Sequence, residues 1–330
     1  MNSIITPPPL ESIGAQTLME EVLEQRPWLI DGLLPIPSTA LLCSPPKYGK
    51  SLLSLKAGHC VATGSDFLNK KVEQAGVAYL CLEDQAYRLQ QRLWQLTDES
   101  SDRLRLITRA ETLGHGLIEQ MQRFLKDHED TKLFIIDTLQ ITRDSTTDYS
   151  YASDYADLRK YKSFADDNNV CVLIVHHLRK AESTNDQFMD ISGTTAISGA
   201  VDEMMVMKKA SRSSHDCKLL VTGRDVEYTE IKLKRDGVNW EFVEQLNEEE
   251  ALSATIPDIV KQSSEFVRAR GTWTGASSEL LSILNADDVT PAVLGKQLSQ
   301  HHEWLLSQGV RYRFKRTGST RCITLERIDG

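Results

Sequence analysis

The chain has 330 residues, 40% of them hydrophobic and 26% charged, enough for one large or two modest domains with sizeable cores. No run approaches the roughly 18 apolar residues of a membrane helix, the first residues show no export character, and the six scattered cysteines include no C-x-x-C pair. Membrane, zinc-site and disulfide classes are set aside, a cytoplasmic location is expected, and a net charge of −9 argues against coating nucleic acid along the whole surface.

Residues 1–25 begin as a Pro-rich leader and continue as a short helix predicted over 15–24. The segment 26–32, Arg-Pro-Trp-Leu-Ile-Asp-Gly, leads into the first strand and is assigned to the wall around a nucleotide base. Residues 39–57, TALLCSPPKYGKSLLSLKA, follow. A buried strand, a loop and an apolar helix flank Gly-Lys-Ser, the setting a phosphate-binding loop requires. Backbone N–H groups of Ser44, Pro46-flanked Lys47, Tyr48, Gly49, Lys50, Ser51 and Leu52, with Pro45 shaping the turn, would face a polyphosphate at the positive end of the helix. Lys50 is expected to be solvated until it meets the outer phosphates, and the Ser51 hydroxyl to ligate Mg²⁺. The pattern G-x-x-x-x-G-K-[ST] is met except at Ser44, which stands at the first glycine.

Strands are then predicted over 76–84, ending in Glu83 and Asp84, over 104–107, over 132–138, ending near Asp137, and over 170–177, ending in His176 and His177. Helices are predicted over 85–96, 116–126 and 151–167. Alternation of this kind implies an α/β fold with a mostly parallel sheet, helices on both faces, and ligands at the strands' C-terminal ends. Shorter strands over 203–208, 218–222, 229–235 and 240–244 predict an antiparallel extension. This first domain is bounded at 26–245, and the polar, acidic stretch 246–255 reads as a linker.

Residues 256–330 carry 10 Lys/Arg against 8 Asp/Glu, whereas the rest of the chain carries 28 against 39. Helices over 257–268, 275–284 and 291–307 and strands over 310–316 and 321–327 predict a small winged-helix domain. Arg313, Lys315, Arg316 and Arg321 form a basic wing suited to duplex backbone.

Asp137 after KLFII would hold the Mg²⁺ water shell beside Ser51. Glu83 would polarise the attacking water, with Asp84 as its rival because neighbours on a strand point to opposite faces. His177 or His176 could contact the γ-phosphate. YLCLED, LFIIDT, LIVHH and ISGTTAISGAVDEMMVM, in this order after the GKS loop, resemble the RecA-like ATPases of the RepA hexameric helicase type found in mobile elements. The resemblance spans about 28–245. It implies ATP and Mg²⁺ as cofactors, Glu83 as catalytic glutamate, Asp137 and the paired histidines in the site, and Arg224 reaching a neighbouring subunit's γ-phosphate. It further implies a homohexamer around single-stranded DNA gripped by loops that include Arg179 and Lys180, with replication proteins as partners. The alternative is a nucleotide-switched DNA-binding regulator or helicase loader without unwinding activity. A surface pairing of Arg224 with Asp225 is the plain reading of that arginine.

Overall fold

In a computed structural model, residues 12–22, 26–144, 151–177, 188, 199–317 and 320–328 are described. Contacts divide the chain into two compact units, Met1–Gln245 and Leu246–Gly330. In the first unit, α1 (Ala15–Glu20) buries none of its residues. The hairpin of β1 (Trp28–Ile30) and β2 (Leu34–Pro35) precedes the central β3 (Ser38–Ser44), and α2 (Lys50–Thr63) follows the loop. Next come β4 (Gly76–Cys81), α3 (Ala86–Leu96), β5 (Leu104–Ile107), α4 (Leu117–Asp127), β6 (Thr131–Asp137), α5 (Tyr151–Asn168) and β7 (Cys171–His177). Four more strands, β8 (Glu203–Lys208), β9 (Asp216–Gly223), β10 (Thr229–Asp236) and β11 (Asn239–Asn247), complete a nine-stranded sheet in the order β11-β10-β9-β8-β3-β7-β6-β4-β5.

From β8 to β5 every neighbouring pair is parallel, and β9 to β11 extend the sheet antiparallel, as the alternation of segments predicts. The central strands are buried on both faces, which is why they read as continuous apolar runs rather than alternating ones. Alternate residues feed two cores. Val77, Tyr79, Leu133, Ile135 and Leu173 meet Leu52, Leu53, Leu55 and Val61 of α2 on one face. Ala78, Leu80, Phe134, Ile136 and Val172 meet Leu117 and Met121 of α4 and Leu158, Tyr161 and Phe164 of α5 on the other. In-register pairing places Ser44 beside His177 and Asp137 beside both Cys81 and Val175. The ends of β3, β4, β6 and β7 therefore form one edge.

The second unit contains helices Asp258–Arg270, Ser277–Leu284, Pro291–Gln300 and His302–Ser307 around a core that includes Val260, Val267, Leu280, Leu294, Leu298 and Leu305. Two of its features depart from the sequence-based expectation. The helix expected over 291–307 is two helices, broken at His301, and a short strand, Trp273–Gly275, joins the expected hairpin of Val310–Thr317 and Thr320–Arg327 as an outer strand. The stretch read as a linker is itself structured. β11 runs to Asn247, whose side chain accepts from the Glu250 N–H while Glu250 accepts from the Asn247 N–H, a capping box that starts the helix Glu248–Thr255.

Candidate nucleotide site

Helix α2 begins at Lys50 behind Gly49, which has φ 99° and offers no capping side chain, so the first-turn N–H groups are left for a ligand. Gly49 is required twice over. Its backbone lies in the left-handed region, and a β-carbon there would sit 2.8 Å from the Trp240 ring. Trp240, wholly buried, also donates its indole N–H to the Gly49 carbonyl at 3.2 Å. Six of the nine loop residues expected to hold phosphate (Pro46, Lys47, Gly49, Lys50, Ser51, Leu52) line a cleft of about 710 Å³, while Ser44, Pro45 and Tyr48 do not.

Lys50 is not solvated, contrary to the expectation. It is 5% exposed. Its ammonium donates to the Ser44 carbonyl at 2.8 Å, the Ser44 hydroxyl at 3.1 Å and the Pro45 carbonyl at 3.3 Å, and lies 3.0 Å from His177 Nδ1. Burial lowers its pKa to about 8, partly offset by Cys43, Asp137 and Glu83. Ser44, the departure from the glycine pattern, thus has an acceptor role toward this lysine, and its own hydroxyl donates to the Pro45 carbonyl at 2.9 Å. Burial and then the Lys50 charge depress the His177 pKa, which favours the neutral ring beside the ammonium. His177 lines the cleft, whereas His176 is buried outside its lining.

The two carboxylates after β4 separate cleanly. Glu83 lines the cleft and accepts from the Thr138 hydroxyl at 3.1 Å, while Asp84 is held by Arg88 at 3.1 Å and by Arg92. Glu83 is therefore free to face a ligand, and Asp84 is committed to α3. Asp137 is 3% exposed. Its Oδ2 accepts from the Tyr79 hydroxyl at 2.8 Å, and its Oδ1 has no hydrogen-bond partner. Burial raises its pKa. The Tyr79 bond and the nearby Ser51 hydroxyl pull it down, although Ser51 makes no well-formed bond to Oδ1. A buried carboxylate oxygen without a donor, next to a serine at a helix N-terminus, suits a hard divalent cation that shares its shell with phosphate and water.

Arg224 lies elsewhere. Glu203, in register with Ala40 at the start of β3, also pairs with Gly223. Arg224 therefore sits at the opposite end of the strands from Ser44, roughly 13 Å along the sheet by strand rise. It is 63% exposed and leans on Asp202 at 3.8 Å and the Gly199 carbonyl at 3.4 Å. Its expected partner Asp225 is taken by Arg26. That pairing also removes 26–32 from the base wall, since Leu29 and Ile30 are core residues and none of this segment lines the cleft. Arg235 and Val238, beside the turn between β10 and β11, line it instead, together with Arg88 and Arg92.

In the second unit, Arg313 and Lys315 are exposed on the strand Val310–Thr317, and Arg311 and Arg313 approach Glu326 at 3.7 and 3.8 Å. Arg179 and Lys180 and the side chains of Arg316 and Arg321 lie outside the described residues. Sequence reasoning missed Tyr79, Thr138, Trp240 and Arg235, which reach the site from distant strands. The Asp84–Arg88–Arg92 spacing, one helix face at four-residue steps, was a signal that could have separated Asp84 from Glu83.

A family model for the AAA domain (AAA_25) matches residues 7–183. The chain belongs to this family. The described fold is that of RecA-like P-loop ATPases. It superposes on a structure titled as a DnaB-like replicative helicase and its interactions with primase, with a TM-score of 0.51 at 14% identity over 63% of this chain. The chain spans 58% of that helicase's length. A KaiC-like protein from Pyrococcus horikoshii OT3 aligns with a TM-score of 0.48 at 12% identity, over 67% of this chain and 99% of its own. No curated protein matches significantly. Among the described residues no helix is long and apolar enough to cross a membrane.

Proposed function

We propose that this AAA domain protein hydrolyses Mg·ATP at the cleft and uses the cycle to move along DNA as a ring-shaped helicase built from six copies of the chain. The observation that carries hydrolysis is the convergence of Lys50, His177, Glu83 and the unpartnered Asp137 Oδ1 on one sheet edge. Lys50 neutralises outer-phosphate charge, Ser51 and Asp137 hold Mg²⁺, and Glu83, oriented by Thr138, polarises the attacking water. When bound, the cation supplies charge neutralisation between the phosphates.

Arg224 supports the assembly. An exposed guanidinium at the far sheet edge cannot meet its own subunit's γ-phosphate, and a head-to-tail interface that brings it to a neighbour's site closes into a ring. In the second unit, the order helix, strand, three helices, hairpin supports a winged helix, with Pro291–Gln300 as the helix for a major groove and Arg313 and Lys315 on the wing. The mobile-element setting and the involvement of replication proteins rest on the motif resemblance.

Subunit mixing tests this reading. Arg224→Ala should bind ATP normally yet lose roughly 10³–10⁵-fold in turnover. An excess of Lys50→Ala subunits, inactive alone, should restore part of that activity, because each variant supplies the half-site the other lacks. A protein that stays monomeric with ATP and single-stranded DNA, or a fully active Arg224→Ala, overturns the ring. DNA-stimulated hydrolysis without strand displacement identifies a loader or regulator instead.

A further inference from the structure

Tyr79 lines no part of the cleft, yet its hydroxyl touches two residues of the site. The side chain is 1% exposed, in the middle of β4, with its ring in the apolar core beneath α2. The hydroxyl lies 2.8 Å from Asp137 Oδ2 and 3.2 Å from the Ser51 carbonyl. Burial, with Asp137 beside it, raises the phenol pKa well above its ordinary value. Its one proton goes to the nearer partner, the Asp137 carboxyl oxygen.

We propose that Tyr79 is the positioning residue for the divalent cation: its hydroxyl pins Asp137 Oδ2 so that Oδ1 alone is presented to the metal. The proposal rests on the reading of the cleft as a Mg·nucleotide site. A carboxylate in a core turns about its last torsion unless something holds one oxygen. Asp137 has one oxygen held and one buried with no partner, an asymmetry that Tyr79 creates among the described contacts. Leaving Oδ1 bare is costly without a cation and is relieved by one. The bond from Tyr79 thus acts as the outer hydrogen bond that orients a ligating carboxylate, a contact whose loss typically costs about 10–100-fold in metal affinity.

Tyr79→Phe keeps the ring and removes only the hydroxyl. The measurement is binding of a fluorescent ADP analogue in EDTA and across a Mg²⁺ titration. The variant should match the parent in EDTA while its Mg²⁺ half-saturation rises about 10-fold or more. In an Asp137→Asn background the same change should have no further effect on the half-saturation, because Tyr79 acts through that carboxylate. Equal loss of affinity with and without Mg²⁺ would make Tyr79 a structural prop, and an unchanged half-saturation would remove it from the site; either overturns the proposal. A parent protein that binds no nucleotide in EDTA or Mg²⁺ would instead sink the reading of the cleft itself.

Discussion

The two ends of the parallel strands bury ionisable groups in opposite ways. At the cleft end, Lys50 is buried against carbonyls, Glu83 lines the cleft and accepts from one hydroxyl, and Asp137, buried beside Ser51 outside the cleft lining, keeps one oxygen bare. At the far end, Asp202 accepts from the Thr39 N–H at 2.9 Å and from Lys162 at 2.8 Å, with Arg224 beyond it, and Arg26 is closed onto Asp225. Glu203 breaks that pattern. It is fully buried with both oxygens unpartnered, and burial together with Asp202 pushes its pKa up to about 8, against a lowering by Arg26. An unsatisfied group beside a phosphate loop is poised for a ligand. Without a ligand to receive, a buried carboxyl protonates.

The sharpest test of the cleft end is the pair of carboxylates after β4. Glu83→Gln should retain Mg·ATP binding and lose about 10²–10⁴-fold in turnover, the usual contribution of a general base. Asp84→Asn should cost far less turnover and instead weaken α3, because Arg88 and Arg92 lose their shared acceptor. Single-turnover hydrolysis beside equilibrium binding separates the two. A reversed result would break the contrast between the residue facing the ligand and the residue tied to its own helix.

A milder perturbation is pH. With the Lys50 pKa lowered to about 8 in the free protein, the ammonium is lost above that pH. A bound polyphosphate raises that pKa, so nucleotide binding above pH 8 takes up a proton. The affinity should be flat below pH 7 and fall by up to about tenfold per pH unit above 8. Calorimetry in buffers of different ionisation enthalpy reads the proton directly.

The smallest effect is expected at the far end. Glu203 has a folded-state pKa raised above that of the unfolded chain, so its stabilising contribution is full below about pH 4.5 and is lost as pH rises through about 8. Glu203→Gln removes that loss. Melting temperatures of variant and parent should shift relative to each other by a few degrees in favour of the variant between pH 6 and pH 9. A constant difference across that range would mean the carboxyl stays charged and has found a partner.

Sequence pattern was sufficient for the strand–helix alternation, the antiparallel extension and the phosphate loop, because these depend on local periodicity and on a short contiguous motif. It also brought Lys50, Glu83, Asp137 and His177 to one edge, since parallel strands that each end in a polar residue must align those ends. It left Glu83 and Asp84 open, and His176 and His177 as well, because a strand end that turns no longer obeys simple alternation. Only the tertiary structure separates their surroundings: Glu83 meets Thr138 and Asp84 meets Arg88 and Arg92, and His177 but not His176 lines the cleft. It alone showed Trp240 packed on Gly49 from 191 positions away, the burial of Lys50, and the Tyr79 hydroxyl between Ser51 and Asp137. Such contacts arise from strand order and register across the sheet, which no local window of the chain encodes.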